Sequence, residues 1–261
     1  MTPQNILSHY DSAQLWPAGA GLDVAPAYQT ALQLRSLRTA RGEQPRGYKI
    51  GFTNASIWPR YNVSAPIWGT VYDSTLVFCE GSADLPLAGI SQPRIEPEAV
   101  LCMLATPPAN ATLDELFSCI DWVAPGFEIV QSHMQDWKFA AADAVADGAL
   151  HARLVVGQRT PVRGIASSAQ DFCAQLAACS IKLGHNGKLQ DQGAGSNVLG
   201  DPLHALQHFL QELRQCPHAP DLLPGDVITT GTWTDAWPVA AGQVWTADFD
   251  APLSRLELRF N

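Results

Sequence analysis

Charge is scarce in this sequence and of unequal sign. Charged residues make up 16% of the 261 residues, and 25 acidic against 16 basic residues give a formal net charge of −9. There is no cluster of lysine and arginine of the kind that binds a phosphate backbone, so nucleic acid is excluded as a partner. An apolar fraction of 46% excludes a disordered linker protein and provides for a buried core.

Targeting, membrane and disulfide signals are also missing. No apolar run approaches the roughly 20 residues that a membrane span requires. The N-terminus has no basic segment followed by an apolar stretch, so no signal peptide is predicted. The six cysteines form no Cys-x-x-Cys pair and have apolar or small neighbours, which favours reduced thiols over disulfides. We therefore expect a cytoplasmic protein with no membrane partner.

Nucleotide-binding signatures are absent as well. The chain has no Gly-x-Gly-x-x-Gly and no Gly-Lys-Ser/Thr loop. The predicted strands are spaced too irregularly for repeated βαβ units, so a nucleotide-binding fold is not expected.

The pattern that is present predicts an α+β chain with a β-rich body. Helical spacing predicts a helix over residues 23–41 that ends at Gly42, and a stronger one that begins after Asp201 and Pro202. A short helix is predicted at 113–120 and a loop at 54–68. Strands are predicted at 47–52, 70–78, 98–104, 123–130, 154–156, 227–230, 244–249 and 253–260. We expect a helical or mixed N-terminal subdomain over 1–75 and a catalytic body over 76–261, packed as one unit.

Three carboxylates stand in apolar strand segments. Glu96 and Glu98 flank Pro97, and residues i and i+2 of a strand point to the same face, so their charges would meet. Glu128 lies in a second apolar segment. Like charges at close range need a cation between them, and an all-oxygen set suits Mg²⁺ or Mn²⁺. The alternative is that Glu96 and Glu98 lie on an exposed strand edge and that Glu128 pairs with an arginine.

Two further charged residues are candidates for the site. Lys49 stands between Tyr48 and Ile50, where it serves either as one half of a structural ion pair or as the cation that holds an anionic substrate. Asp73 follows Tyr72 in a segment that is also typical of a turn.

Taken together, several segments resemble the 2-oxopent-4-enoate hydratase and 4-oxalocrotonate decarboxylase group of the fumarylacetoacetate hydrolase superfamily. The resemblance runs from about residue 25 to the C-terminus. The matching segments are, in order, Gly-Tyr-Lys-Ile-Gly-Phe-Thr (47–53), Ile-Glu-Pro-Glu (95–98), Glu-Ile-Val (128–130), Asp-Trp-Lys (136–138), Asp-Ala-Val-Ala-Asp (143–147), residues 195–202 and Pro-Gly-Asp-Val-Ile-Thr-Thr-Gly-Thr (224–232).

The resemblance implies the fold of that superfamily, a β-rich body with a smaller helical N-terminal part. It also implies roles for individual residues. Those are Glu96, Glu98 and Glu128 as ligands of Mg²⁺ or Mn²⁺, Lys49 and Asp73 as catalytic residues, and Lys138, Thr230, Gly231 and Thr232 as substrate-binding residues.

The chain departs from the group at two places. The hydratases usually show Glu-Ile-Val-Asp-Ser-Arg, whereas this chain has Gln131 and His133 at the Asp and Arg positions, and we expect both to lie behind the ligands. The group's Ala-Asp-Asn is followed by a serine, whereas here Asp147 is followed by Gly-Ala-Leu and His151. His133 and His151 are candidate cations for a second carboxylate of the substrate, and the alternative is that each lies at the surface or behind the ligands.

The activity that the resemblance implies is metal-dependent hydration of 2-hydroxypenta-2,4-dienoate, or a close analogue, to a 4-hydroxy-2-oxo acid in meta-cleavage catabolism of aromatic compounds. A 4-oxalocrotonate-type decarboxylase passes through the same dienolate and stays an alternative. A non-catalytic partner subunit of such an enzyme is another, motivated by the changed positions. The resemblance further implies a homo-oligomer, or a complex with a related decarboxylase or hydratase.

Overall fold

The structure is a computed structural model that describes residues 1–261. Seven α-helices are present: α1 (Pro3–Ser12), α2 (Val24–Ala40), α3 (Trp58–Tyr61), α4 (Leu113–Ser118), α5 (Ala141–Ala146), α6 (Ala169–Ala178) and α7 (Pro202–Gln215). No helix has both the length and the apolar content to cross a membrane. The two helices predicted with the clearest patterns, α2 and α7, are confirmed within one or two residues.

Fourteen strands form two sheets. They are β1 (Pro45–Gly51), β2 (Ile67–Tyr72), β3 (Leu76–Phe78), β4 (Ser82–Leu85), β5 (Arg94–Met103), β6 (Ile120–Val130), β7 (His151–Val156), β8 (Thr160–Pro161), β9 (Ser180–His185), β10 (Lys188–Ala194), β11 (Val227–Thr229), β12 (Trp237–Pro238), β13 (Val244–Phe249) and β14 (Leu256–Phe260).

The larger sheet has the order β2-β1-β11-β5-β6-β7-β3, with β12 paired to β5 and β8 paired to β6. The smaller sheet has the order β10-β9-β13-β14-β4. The strands alternate with short and unequal connections rather than regular crossover helices, so the predicted α+β class is confirmed.

The helical N-terminal part is smaller than expected. The sequence predicted a subdomain over 1–75, but β1 and β2 lie in the larger sheet, where β1 pairs with β11 near the far end of the chain. Residues 70–78 were predicted as one strand, but a turn at Asp73 and Ser74 separates β2 from β3. The helical layer therefore ends before Pro45, because the apolar run that follows is buried only when it joins the sheet.

Helix α7 shows how local sequence sets an element that supports the site. Asp201 caps it, because its Oδ1 accepts hydrogen bonds from the backbone amides of Leu203 and His204 at 2.8 and 3.0 Å. Its apolar stripe, which includes Leu206 and Phe209, is fully buried in the main core. That core lies between one face of the larger sheet, the smaller sheet and helices α4, α6 and α7.

The opposite face of the larger sheet is apolar at its centre and acidic on one side. A small cluster that includes Val71, Val100 and Leu154 covers the centre. Helices α1, α2 and α5 form a separate core that also buries Ile67 and Val130. The acidic side contains the candidate site.

Candidate metal centre

The pairing of β5 with β6 brings three carboxylates together. Glu96 lies directly opposite Glu128, and Glu98 lies opposite Gly126. Because side chains alternate along a strand, all three glutamates point to the same face. Their carboxylate oxygens lie within 4.8 Å of one another. Glu98 and Glu128 are fully buried, and Glu96 is partly buried. The exposed-edge alternative for Glu98 is therefore wrong.

Glu98 has one satisfied oxygen and one without a partner. The Gly231 amide donates to Glu98 Oε2 at 2.7 Å, whereas Glu98 Oε1 is buried and accepts no hydrogen bond. Gly231 has φ +99°, and a Cβ there would lie 1.8 Å from Thr53 Oγ1, so only glycine brings this amide to the carboxylate. A buried carboxylate oxygen without a partner is costly unless a cation is bound to it.

Glu128 is held from two sides. Lys49 Nζ lies 3.1 Å from Glu128 Oε2, and His151 Nδ1 lies 2.9 Å from Glu128 Oε1. Lys49 reaches this position from β1, where it stands opposite Thr229 of β11. His151 Nε2 lies 2.9 Å from Thr75 Oγ1. Burial lowers the pKa of His151, which favours a neutral imidazole whose Nδ1–H donates to Glu128. The single proton of the Thr75 hydroxyl serves either the Tyr72 carbonyl, 3.0 Å away, or His151 Nε2.

Burial and mutual repulsion shift the pKa values in this cluster. Burial raises the pKa of Glu98 well above its usual range, and the charges of Glu128 and Glu96 raise it further. Burial, opposed by Lys49 but aided by Glu128, raises the pKa of Glu96 to about 7.

The pKa values of Glu128 and Lys49 shift in the directions that favour the ion pair between them. Burial raises the pKa of Glu128, but Lys49 and His151 outweigh it and hold that pKa below its usual value. Burial lowers the pKa of Lys49, but Glu128, Glu96 and Glu98 together raise it above its usual value. One ammonium thus faces three buried carboxylates, which is a site with unbalanced negative charge.

A partly open cavity of about 170 Å³ lies against this cluster. Its polar lining comes from Lys49, Glu96, Thr53, Asn54, Gly231 and Thr232, and its apolar lining combines four aromatic side chains with aliphatic ones. Larger grooves run along the surface beside α2, but no buried carboxylate or lysine lines them. The cavity therefore brings charged and apolar groups together in one space.

Two of the predicted site residues do not join this cluster. Asp73 is exposed in the β2–β3 turn, where its Oδ1 accepts from the amides of Gln44 and Ser74 at 2.9 and 2.8 Å. The side chain of Lys138 is 82% exposed and lies 3.7 Å from Asp136, outside the cavity lining. Asp73 belongs to a polar turn, whereas Lys138 points to solvent between Trp137 and Phe139, whose side chains line the cavity.

The residues of the predicted Thr230–Thr232 turn have two different roles. The Thr230 hydroxyl donates to the Ala99 carbonyl at 2.8 Å, so it holds β5 and does not line the cavity. Gly231 and Thr232 line it, and the Thr232 hydroxyl donates to the Thr234 carbonyl at 3.0 Å.

Gln131 and His133, which stand at the first departure, make hydrogen bonds to groups other than the three glutamates. Gln131 Oε1 accepts from the Ser91 amide at 3.0 Å, and its Nε2 donates to the His151 carbonyl at 3.4 Å. His133 is fully buried, with Nδ1 2.7 Å from Asp147 Oδ1.

Neither histidine can meet a second substrate carboxylate. His133 is enclosed by Asp147 and by Trp16, whose ring stacks on it at 6.3 Å. His151 contacts Glu128, and neither ring lines the cavity. The role of distal cation is therefore wrong for both residues, because both rings make buried contacts. The contact of His151 with Glu128 agrees with the alternative, a position behind the ligands.

The sequence did not predict that His151 contacts Glu128 or that aromatic side chains line the cavity. The register Val130↔His151 puts the His151 ring near Glu128, but that register depends on strand pairing across 20 residues of chain. The only signal in the sequence was a histidine at the end of the segment that departs from the family's pattern.

Comparisons with known proteins agree with this arrangement. Residues 48–257 match the C-terminal domain family of fumarylacetoacetate (FAA) hydrolase. The chain is 32% identical to a 2-hydroxyhexa-2,4-dienoate hydratase of Comamonas testosteroni, over 85% of this chain and 80% of that one. It is 30% identical to a 2-keto-4-pentenoate hydratase of Burkholderia vietnamiensis, over 88% and 84% of the two chains.

A solved structure has the same fold throughout. The 4-oxalocrotonate decarboxylase of Pseudomonas putida G7, complexed with magnesium and adipate, superposes with a TM-score of 0.88 at 25% identity. The match covers 99% of this chain and 95% of that one.

Proposed function

Since the chain belongs to the fumarylacetoacetate hydrolase family, we propose that it is a divalent-metal-dependent hydratase of 2-hydroxypenta-2,4-dienoate or a close analogue. The observation that carries the proposal is the buried Glu96, Glu98 and Glu128 cluster, with Lys49 beside it, against a partly open cavity. The names of the hydratase relatives support the choice of reaction.

The three glutamates fit a hard divalent cation. Glu98 Oε1 is buried without a partner. Burial, together with the charge of the neighbouring glutamates, raises the pKa values of Glu96 and Glu98, and a bound cation would favour their charged forms. An all-carboxylate set suits Mg²⁺ or Mn²⁺, and the magnesium bound by the P. putida decarboxylase agrees with this. When bound, the ion would supply Lewis-acid polarisation to the oxygen-rich end of a 2-oxo acid.

Lys49 supplies the fixed positive charge of the cavity. Its ammonium is held by Glu128 and lines the cavity, so it can stabilise negative charge at the C2 oxygen of the substrate. This local cation is needed because the formal net charge of −9 repels carboxylates at long range.

The reaction balances as water addition. The dienol loses its hydroxyl proton and gains a proton at C5, and water then adds its oxygen at C4 and a proton at C3 to give 4-hydroxy-2-oxopentanoate. Negative charge collects at the C2 oxygen in both stages, where Lys49 favours it. The aromatic lining limits the access of bulk water, so that addition occurs at the bound substrate.

Decarboxylation of 4-oxalocrotonate is the second candidate, supported by the similarity to the P. putida enzyme. Its substrate has a second carboxylate, and the cavity lining contains no cation besides Lys49 to receive it. This observation favours the hydratase. A non-catalytic partner subunit is a third candidate, although Lys49 and the three glutamates are all in place.

The test is turnover by the purified chain with Mg²⁺ or Mn²⁺. Loss of the absorbance of enzymatically generated 2-hydroxypenta-2,4-dienoate without release of CO₂ is expected for the hydratase. Release of CO₂ from 4-oxalocrotonate would show that the chain is a decarboxylase and not the proposed hydratase. Turnover of neither substrate by protein that binds the metal would favour the partner subunit.

Variants connect the activity to the site. Glu98→Gln keeps the shape of the side chain but removes a ligand charge, so we expect metal affinity and turnover to fall together. Glu80→Gln changes an exposed glutamate outside the cavity and is the matched control. Unchanged metal affinity in Glu98→Gln would show that the ligand set is wrong.

A further inference from the structure

One side of the cavity is a continuous aromatic wall. Phe52 stacks on Tyr61 at 4.6 Å, and Tyr61 stacks on Phe139 at 5.6 Å. Trp137 tilts against Phe139 at 6.1 Å. All four side chains line the cavity, and each is only partly buried by the fold. The rings thus pack against one another and still present apolar surface to a ligand.

The charged groups of the cavity belong to its other end. Lys49 and Glu96 are the charged residues in the lining, and both lie at the carboxylate cluster. The remaining apolar lining includes Ile67, Val130 and Leu150. A ligand anchored at the cluster by its carboxylate would therefore extend its other end along apolar surface.

Nearby cations are engaged outside the cavity. The Arg94 guanidinium lies over the Trp137 ring at 4.3 Å, and that of Arg60 lies 5.6 Å from the Tyr61 ring. Neither arginine lines the cavity, and neither does Lys138. A second carboxylate among the apolar side chains would have no cation in the lining to pair with, which is unfavourable.

Backbone strain is concentrated at the same place. Phe52, Trp137 and Leu150 have φ values of +59°, +58° and +66°, a region that bulky residues rarely adopt. Such strain persists where surrounding structure holds it, commonly at ligand sites. Three large apolar side chains are thus held toward one cavity by conformations that other residues avoid.

We propose that this wall is a subsite for an apolar substituent, so that the chain selects 2-hydroxydienoates with an uncharged alkyl or aryl tail over those with a second carboxylate. The inference rests on the proposed function and names its substrate class. Phe139, which contacts both Tyr61 and Trp137, is the specificity-determining residue at its centre.

The test uses non-reacting 2-oxo acids and isothermal titration calorimetry of the Mg²⁺-loaded protein. Pyruvate measures the anchor alone, and 2-oxohexanoate and 2-oxoadipate have equal carbon number but differ in the charge of the tail. One buried methylene gives about fourfold in affinity, so 2-oxohexanoate is expected to bind at least ~10-fold tighter than pyruvate. We expect 2-oxoadipate to bind at least ~10-fold more weakly than 2-oxohexanoate.

Variants locate the preference. In Phe139→Ala the ratio between 2-oxohexanoate and 2-oxoadipate should shrink severalfold, and Phe139→Leu should restore part of it. Phe78→Ala is the matched control, because Phe78 is 48% exposed on β3 and outside the cavity. A ratio that Phe139→Ala leaves unchanged would overturn the assignment of the wall.

The two hypotheses fail in different ways. If pyruvate binds and 2-oxoadipate binds as tightly as 2-oxohexanoate, the subsite is refuted and the proposed function stands. If none of the three acids binds the metal-loaded protein, the proposed function is refuted together with the subsite.

Discussion

Replacing Glu98 by glutamine should stabilise the metal-free protein. Glu98 is fully buried, and burial together with Glu128 and Glu96 raises its pKa well above 4.5. Above pH 4.5 an unfolded chain releases this proton, whereas the folded chain retains it, so stability falls as the pH rises. Below that pH both states are protonated, and the cost is absent.

The magnitude follows from the slope of stability with pH. One pH unit corresponds to ~1.4 kcal/mol for one proton, so above pH 4.5 the free energy of unfolding falls by at most that amount per pH unit. Glu98→Gln removes this cost, because an amide has no proton to exchange, and its oxygen still accepts from the Gly231 amide. One kcal/mol shifts Tm by about 2–4 °C in a chain of this size, so each pH unit over which the folded chain retains the proton should separate the Tm values of variant and wild type by about 3–6 °C in the presence of EDTA.

A bound divalent cation should stabilise the wild type more than Glu98→Gln. A ligand at 100 times its Kd stabilises the folded state by ~2.7 kcal/mol, and the wild-type site with three carboxylates should gain most of this. Glu98→Gln lacks one ligand charge and should gain little. The variant is thus expected to be the more stable protein in EDTA and the less responsive one in Mg²⁺ or Mn²⁺.

The assay is thermal unfolding at pH 4.5 and 7, with and without metal, beside the exposed control Glu80→Gln. A fall in the metal-free stability of Glu98→Gln at pH 7 would refute the electrostatic reasoning. A metal-induced shift equal to that of the wild type would refute the ligand assignment instead.

Three further outcomes are expected. His151→Ala removes the donor to Glu128 Oε1 and should weaken Mn²⁺ binding about 10-fold by calorimetry, with wild-type affinity as the contrary result. Gly231→Ala meets a side-chain atom at 1.8 Å and should cost more than ~2 kcal/mol in urea unfolding, well above Gly242→Ala, where nothing lies within 4 Å. Burial raises the pKa of Glu43, but its hydrogen bonds from Arg38, Ser74 and Arg41 outweigh this and hold that pKa at about 2. The resulting stabilisation is present above pH 4.5 and is lost toward pH 2. Glu43→Gln should therefore flatten the acid-unfolding profile over that window, and a profile as steep as that of the wild type would contradict this.

Local patterns in the sequence predicted the parts of the site that depend on one strand. Glu96 and Glu98 share a face because their spacing fixes it within β5, and the Asp201 cap fixes the start of α7. Glu128 and Lys49 were also candidates from their apolar surroundings, and family resemblance added their roles. The two side chains meet only through strand pairing that spacing does not reveal.

The remaining misassignments have a common physical cause. Asp73 and Lys138 match positions of the family's sequence motifs, but the side chains of both are directed to solvent. His151 was assigned to the substrate because the sequence showed a cation and not the buried carboxylate that uses it. Likewise, β1 and β2 were assigned to an N-terminal subdomain, although their hydrogen-bond partners include β11, more than 170 residues further along the chain.

The two ends of the cavity differ in how the chain builds them. Glu96, Glu98 and Glu128 stand in the ladder between β5 and β6, where slipping the register by one residue would turn their side chains to the other face. Phe52, Tyr61, Trp137 and Phe139 come from connections and a one-turn helix outside that ladder. Substitutions in these connections can alter which tail is accepted without disturbing the ladder. The architecture thereby allows substrate range to diverge among descendants of one ancestral enzyme while the reacting end stays constant.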